Sequence, residues 1–113
     1  MRAEILKGHL DGILLAVLEP GPLHGYAVME ALRVRSVGQV DLPTGTVYPA
    51  LHRLERAGLV EASWSQAAGR RRRVYTLTPA GRRSLDTERG TWRDFSAVVT
   101  ALLQPVALAA SPS

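Results

Sequence analysis

A run of four arginines, Arg70–Arg73, is the stretch of the sequence best suited to bind an anion. Guanidinium groups stay charged at neutral pH, and their hydrogen-bond donors match the oxygens of phosphate and carboxylate groups. The whole chain of 113 residues is basic, with 14 Lys and Arg against 10 Asp and Glu and a net charge of +4. This balance favours a polyanionic partner without identifying one, because an arginine run is often only a solvated surface.

The other residues give little support for catalysis or metal binding. His9, His24 and His52 are isolated from each other and from carboxylates at ligand spacing, and cysteine is absent, so we expect no metal site and no cofactor. The sequence contains no phosphate-binding glycine loop and no nucleophile elbow, so we do not expect an enzyme. The longest apolar run, residues 13–18, is too short to cross a membrane, and we expect a cytoplasmic protein with no membrane partner.

The arginines follow three predicted helices within a chain of single-domain length. A hydrophobic content of 46% is enough for one core. Apolar residues spaced by three and four predict a first helix through Leu10–Leu18. The second helix is predicted from about Leu23 to Arg35, with His24 helping to begin it and Gly38 beyond its end.

The third predicted helix lies in "GTVYPALHRLERAGLV", and Gly58 ends it. Thr44 and Thr46 are both candidates for its N-cap. Capping at Thr46 would place Pro49 in the first turn, where the missing N–H of proline is tolerated, so we predict Thr46. The positions predicted to point inward are Val47, Ala50, Leu51 and Leu54.

A hairpin and a fourth helix follow. From Leu59 the apolar period changes to two, which predicts a strand, and "QAAGR" is the predicted tip before a second strand that carries the arginines. Thr78 is the predicted cap of the last helix, and Pro79 occupies its first position. Pro105 predicts that this helix ends near Gln104.

Large apolar residues repeat along the last helix at heptad spacing, which is typical of a helix that packs along a seam. A chain of this size is too small to cover such a long helix from within. We therefore expect the seam to pair with a second copy of the chain in a homodimer. The predicted seam residues are Leu85, Trp92, Phe95, Val99 and Leu102.

This order of elements predicts a mainly α fold with a small β-hairpin: a winged helix-turn-helix followed by a C-terminal dimerisation helix. The predicted divisions are residues 1–78 for the winged helix-turn-helix, 79–104 for the dimerisation helix and 105–113 for a flexible tail. In such a fold the third helix enters the major groove of double-stranded DNA, and the hairpin reaches backbone phosphates or the minor groove.

The predicted DNA contacts are therefore the first turns of the third helix and the arginine run. Arg53 suits either a guanine edge or a phosphate, and Tyr48 suits either a phosphate or a thymine methyl group. The alternative for Tyr48 and His52 is a surface position or packing against the sheet. The predicted contacts are Thr44, Thr46, Tyr48, Pro49, His52, Arg53, Arg70, Arg71, Arg72 and Arg73.

Three motifs, "HGYAVMEAL", "GTVYPALHRLERAGLV" and "GRRRRVYTLTPAGRRSL", resemble those of the PadR-like transcriptional regulators in sequence and in order. The resemblance covers most of Leu10–Leu85. It implies a winged-helix dimer, usually a repressor, whose last helix contacts the first helix of its partner. The chain looks like the short subfamily, which has a single C-terminal helix. Two-fold symmetry would then imply an operator with an inverted repeat.

A narrower resemblance links "AEI" and "TWRDF" to multidrug-binding members of that family, in which each subunit places a tryptophan at the dimer interface. It implies that Trp92 stacks on a small aromatic or hydrophobic effector in a central pore, and that the effector releases the protein from DNA. The alternative for Trp92 is plain packing in the seam. The residues implied to line the pore are Ile5, Leu6, His9, Glu88, Trp92, Phe95 and Ser96.

Two further alternatives come from other classes of protein. A winged-helix module for protein interaction would use the basic hairpin to dock on an acidic partner. A ligand carrier or an enzyme would use the dimer pore and would keep its activity without the hairpin.

Overall fold

The computed structural model describes residues 3–67 and 69–106, apart from the side chains of Ala3, Ile5 and Ala67. The predicted mainly α fold with a hairpin and a C-terminal helix is confirmed. Of the predicted tail, residues 107–113 lie outside the described part. In chain order the elements are a short 3-10 helix (Ala3–Leu6), α1 (Leu10–Leu18), β1 (Leu23–His24), α2 (Gly25–Arg35), α3 (Thr44–Arg56), β2 (Val60–Ala67), β3 (Arg70–Leu77) and α4 (Pro79–Leu103).

The sheet has three antiparallel strands in the order β1-β3-β2, one more than the predicted hairpin. Leu23 pairs with Tyr75 and His24 with Val74, so the prediction that the second helix begins at Leu23 was wrong. These two residues find partners for their backbone groups on the free edge of β3, which a two-residue stretch of sequence does not reveal. His24 does begin α2, as predicted, because its side chain accepts a hydrogen bond from the Ala27 N–H.

The hairpin is longer and tighter than "QAAGR" predicts. β2 and β3 pair from Val60 and Leu77 as far as Ala67 and Arg70, which leaves a two-residue connection. Gly69 has a φ of +73°, a conformation that the short turns of hairpins require and that glycine adopts without strain. The first arginine of the run is therefore already part of a paired strand.

Helix α3 begins at Thr44, with Pro43 at the N-cap position, so the predicted cap at Thr46 was wrong. The Pro43 carbonyl accepts hydrogen bonds from the N–H groups of Thr46 and Val47 at 3.0 and 3.1 Å, which closes the first turn earlier than predicted. Pro49 therefore lies inside the helix, where its missing N–H deprives the Gly45 carbonyl of the usual partner. Gly45 is exposed, so water can solvate that carbonyl.

Helix α4 has the predicted ends. The Thr78 side chain accepts a hydrogen bond from the Gly81 N–H at 3.0 Å, and Pro79 occupies the first position of the helix. The last helical residue is Leu103, next to the predicted end at Gln104. The helix is 25 residues long, and this length decides how much of it the rest of the chain can cover.

One hydrophobic core joins α1, α2 and α3 to one face of the sheet and the first turns of α4. The four predicted inward positions of α3 are all buried, which confirms that prediction. Tyr75 fixes β3 to this core, with only 1% of its surface exposed. The largest fully buried side chains are Leu14, Leu15, Leu18, Val28, Val47, Leu51, Leu54, Tyr75 and Leu85.

Beyond Leu85, the chain itself covers the apolar side chains of α4 only in part. Trp92 is 53% exposed, Phe95 is 56% exposed and Leu102 is 79% exposed. Burying such side chains removes apolar surface from water, which is favourable by roughly 25 cal/mol for each Å² of apolar surface buried. In the isolated chain, three of the five predicted seam residues therefore leave more than half of their surface exposed.

A membrane-spanning helix and a metal-binding cluster are both absent from the part of the chain that the structure describes. Within residues 3–67 and 69–106, no helix combines the length and apolar character needed to cross a bilayer. The same ranges contain no group of three or more histidine, aspartate or glutamate side chains placed to hold a metal ion.

Candidate functional site

The outer face of α3 carries most of the predicted contacts of that helix. Thr44, His52 and Arg53 are exposed, whereas Thr46 is half-buried. Pro49 is also exposed, in the second turn. Since the opposite face packs into the core, these side chains lie on the surface that the helix can offer to a partner.

Arg53 is not free in this arrangement. Its Nη2 donates a hydrogen bond to Oδ1 of Asp11, in the first turn of α1. This hydrogen bond raises the pKa of the Arg53 guanidinium, so the side chain stays charged. About half of each side chain remains exposed, with 53% for Arg53 and 48% for Asp11, so solvent screens the pair and a stronger acceptor can compete for the arginine.

Tyr48 is half-buried and packs against the start of α2, which is neither a surface position nor packing against the sheet. Its ring meets the ring of Tyr26 edge-on, with the centroids 6.5 Å apart. A Cβ atom on Gly25 would overlap the phenol of Tyr48, so the absence of a side chain there makes the contact possible. Burial raises the pKa of the Tyr48 hydroxyl, which therefore remains a hydrogen-bond donor at neutral pH.

The arginine run divides between the two faces of the hairpin, because successive residues of a strand point to opposite sides. Arg71 and Arg73 lie over the ring of Trp64, at 4.3 and 5.2 Å from its centroid, as in cation–π contacts. Arg73 also donates a hydrogen bond to Glu55 of α3 at 3.0 Å. Two of the four arginines are therefore held by neighbours in the hairpin and in α3.

Arg72 points to the other face, where its Nη1 lies 2.9 Å from Nε2 of His24. Arg70 is exposed beside the turn. The four arginines, the start of α2 and Tyr48 of α3 border a cavity of about 440 Å³, called the hairpin cavity below. Its lining residues are His24, Gly25, Tyr26, Tyr48, Arg70, Arg71, Arg72 and Arg73.

Sequence reasoning missed Trp64, Glu55, Tyr26 and the position of His24 as parts of this region. The register of the hairpin could have predicted the contact of Trp64, because Trp64 pairs with Arg73 and paired residues lie on the same face. No comparable signal exists for Glu55, because its contact with Arg73 depends on how α3 packs against the sheet.

A second region lies between the start of the chain and α4. The 3-10 helix, α1 and α4 border an open groove of about 620 Å³, called the α1/α4 groove below. Of the residues implied for a ligand pore, the structure brings together Leu6, His9, Glu88, Trp92 and Phe95. The sequence missed Gly12, Ile13, Ala16 and Arg89, which line the same groove.

Aromatic rings form one side of the α1/α4 groove. His9 meets Trp92 nearly edge-on, with 5.4 Å between the ring centroids, and Phe95 lies 6.0 Å from Trp92. Ser96 is not among the lining residues, and its hydroxyl donates a hydrogen bond to the Arg93 carbonyl. The side chain of Ile5 lies outside the described part of the chain.

An ion pair joins the end of α1 to α4 near this groove. Arg89 donates two hydrogen bonds to the Glu19 carboxylate, at 2.8 and 2.9 Å. The hydrogen bond from Arg89 lowers the pKa of Glu19, and desolvation opposes this shift. The pair therefore connects the end of α1 to α4 at the surface, where solvent screens it.

The profile of the family "Transcriptional regulator PadR-like family" matches residues 14–87 of the chain. Among curated proteins, the transcriptional regulator Rv3488 of Mycobacterium tuberculosis is 53% identical over 45 residues, which are 40% of this chain and 42% of that protein. The crystal structure of a PadR family transcription regulator from Clostridium difficile has a TM-score of 0.75 and 31% identity, covering 85% of this chain and 99% of that chain.

A transcriptional regulator from Clostridium thermocellum has the same fold, with a TM-score of 0.82 and 24% identity over 89% of this chain and 99% of that one. The agreement extends through the three-stranded sheet and α4, so the predicted winged helix-turn-helix with a C-terminal helix is confirmed. With more than half of its length matched by the family profile, the chain belongs to the PadR-like family of transcriptional regulators.

Proposed function

We propose that this regulator is a homodimeric, sequence-specific DNA-binding repressor that acts on an inverted-repeat operator. The observation that carries the proposal is the hairpin cavity, where Tyr48 of α3 and the arginines of the hairpin border the same space. A helix in the major groove and a basic hairpin beside it would then contact one continuous stretch of duplex. Of the predicted contacts, the residues along α3 are proposed to reach base edges, and Arg70–Arg72 to reach phosphates.

The homodimer is supported by the uncovered half of α4. Phe95 and Leu102 expose more than half of their surface, which a second α4 and the α1 of a partner would bury. A two-fold axis along this seam would present two α3 helices in opposite directions. The half-sites of the operator would then read as an inverted repeat, about one helical turn or more apart.

Release by a small effector is the finer part of the proposal and rests on the α1/α4 groove. One chain supplies an aromatic side with His9, Trp92 and Phe95 but leaves the groove open. A partner subunit would close it around a flat hydrophobic molecule. An effector that binds better in one subunit arrangement would change the spacing of the two α3 helices and thereby the affinity for DNA.

Selection of bound duplexes from a random DNA library, at physiological salt, tests DNA recognition directly. Physiological salt matters because at low salt any basic protein binds DNA. The expected result is enrichment of an inverted repeat. A pool that stays random would contradict the proposal and would favour the alternative in which the hairpin docks on an acidic protein.

Matched arginine variants separate sequence reading from general charge. Arg71→Gln should weaken binding to all duplexes and reduce the salt dependence, whereas Arg53→Gln should alter the enriched sequence if that side chain reads a base. Arg83→Gln, on the exposed surface of α4, removes the same charge and is the control. Repression is tested by placing the enriched repeat across a reporter promoter, where the protein should lower the output.

A further inference from the structure

The imidazole of His24 has two neighbours that both donate hydrogen bonds. Its Nδ1 accepts from the backbone N–H of Ala27 at 3.3 Å, and this bond caps α2. Its Nε2 lies 2.9 Å from Nη1 of Arg72. A guanidinium group can only donate, so each of the two contacts requires the imidazole nitrogen to accept.

No protonation state of the ring satisfies both neighbours. The neutral imidazole has one acceptor nitrogen and one N–H, so a ring that caps α2 through Nδ1 carries its proton on Nε2 and points a donor at Arg72. The other tautomer accepts from Arg72 but loses the cap, and the imidazolium accepts from neither. With the cap in place, two donors, Nε2 of His24 and Nη1 of Arg72, therefore face each other at this point, 2.9 Å apart.

The surroundings of this point indicate what kind of acceptor it would take. Both side chains border the hairpin cavity, and none of the residues that line it is acidic. Tyr26 and Tyr48 line the same cavity, and burial raises the pKa of the Tyr48 hydroxyl. Neighbouring imidazole and guanidinium donors in a cavity without acidic residues match the oxygens of a phosphate group.

We propose that His24 and Arg72 together bind one backbone phosphate of the DNA duplex. The phosphate would accept from Nε2 of His24 and from the Arg72 guanidinium, while Nδ1 of His24 keeps the cap of α2. One phosphate would thus fix the turn end of β3 to the start of α2, which packs on α3 through Gly25 and Tyr48. This site rests on the proposed DNA-binding function. It adds His24, which belongs neither to α3 nor to the arginine run, to the proposed phosphate contacts.

The test separates the cap from the phosphate contact. Asn is a good N-cap residue, so His24→Asn keeps an acceptor for the Ala27 N–H and removes the Nε2 donor. Arg72→Gln removes the guanidinium. Binding of the wild type, both single variants and the double variant is measured on the duplex that the wild type enriches from a random library.

We expect Arg72→Gln to weaken binding about tenfold or more and His24→Asn several-fold, as for hydrogen bonds to a charged group. The double variant should lose clearly less than the product of the two single losses, because both residues hold the same phosphate. Arg70→Gln is the control: it removes an equal charge from the same strand, and its loss should multiply with that of His24→Asn. Thermal unfolding of His24→Asn should match that of the wild type, and His24→Ser repeats the measurement with a second capping residue.

Duplexes with a single uncharged methylphosphonate identify the phosphate. A methylphosphonate at one position should weaken wild-type binding. On that duplex, neither His24→Asn nor Arg72→Gln should weaken binding any further. Losses that multiply in the double variant, or different sensitive positions for the two residues, would overturn the shared site while leaving the DNA-binding function intact. A wild-type protein that enriches no duplex would overturn both proposals.

Discussion

Asp11 in the first turn of α1 is ion-paired with Arg53 on the outer face of α3, although 42 residues separate them in the sequence. His9, two residues before Asp11, meets Trp92 in the α1/α4 groove. The beginning of α1 therefore contacts both the proposed DNA-binding helix and the proposed effector site. A displacement of this segment by an effector would change the partner of Arg53 directly.

Asp11→Asn should raise the affinity for DNA several-fold, because Arg53 no longer has to leave a carboxylate before it meets a phosphate or a base. The slope of log binding constant against log salt concentration should also become steeper, by about the value for one more released counterion. Fluorescence anisotropy titrations of a labelled duplex at several salt concentrations measure both effects. Asp94→Asn on α4 makes the same change in net charge and is the control; equal behaviour of the two variants would mean that the ion pair does not restrain Arg53.

Gly25→Ala should destabilise the fold by about 1–3 kcal/mol, because the new methyl group overlaps the phenol ring of Tyr48 and forces α2 and α3 apart. Gly45→Ala is the matched control in α3, where a Cβ atom meets nothing within 4 Å. That substitution should leave stability unchanged or raise it by up to about 1 kcal/mol through helix propensity. Urea unfolding followed by circular dichroism compares the two. A Gly25→Ala protein as stable as wild type would show that Tyr48 can move aside at little cost.

Leu102→Glu should convert the proposed dimer into a monomer without unfolding it. The side chain is 79% exposed in the isolated chain, so the charge is harmful only where a partner buries it. Sedimentation velocity over a range of concentrations should give twice the 12.2 kDa chain mass for the wild type and the chain mass for the variant. Ala97→Glu, on the exposed surface away from the seam, should stay dimeric. Monomeric wild-type protein at all concentrations would refute the dimer.

Planar aromatic compounds that bind the α1/α4 groove should quench the fluorescence of Trp92 in a saturable way. Replacing Trp64 by Phe leaves Trp92 as the source of the tryptophan signal, since the chain has two tryptophans. The same compounds should lower the affinity for DNA, and Trp92→Leu should weaken their binding several-fold through loss of ring stacking. Unchanged fluorescence and unchanged DNA affinity across a panel of such compounds would argue against an effector site.

The Glu19–Arg89 pair should make stability depend on pH in acid. The pKa of Glu19 is lowered in the folded state, below an ordinary value of 4.5, by its hydrogen bond with Arg89. The contribution of Glu19 to the free energy of unfolding is therefore complete above its pKa in the unfolded chain. It is lost as the pH falls through its pKa in the folded state. Denaturation midpoints between about pH 6 and pH 3 should fall more steeply for wild type than for Glu19→Gln. Parallel curves would show that the exposed pair does not stabilise the fold.

Much of the fold could be read from the sequence because its signals are local. The period of three and four in α1 and α3, the period of two in the hairpin, and the Thr78-Pro79 start of α4 each report the environment of one element. The same local reasoning misplaced the start of α3, because a cap at Thr46 is better for Pro49 alone. The Pro43 carbonyl accepts hydrogen bonds from the N–H groups of Thr46 and Val47, so the helix begins at Thr44 and contains the proline in its second turn.

The candidate sites were less accessible to sequence reasoning, because their geometry depends on contacts between distant segments. The predicted strand already puts Arg72 and Arg73 on opposite faces, but only the strand pairing and packing bring Arg71 and Arg73 to Trp64 and Arg72 to His24. Likewise, Arg53 looked free until α1 brought Asp11 against it.

By itself, the sequence determined the order of the four helices and the hairpin, the buried face of α3 and the basic character of the hairpin, since all of these follow from residue type and spacing. Only the tertiary structure decided which charges are neutralised and which donors converge without an acceptor. The physical reason is that a hydrogen bond or ion pair depends on distances of about 3 Å between atoms. Chain topology and packing set such distances between His24 and Arg72, 48 residues apart in the sequence.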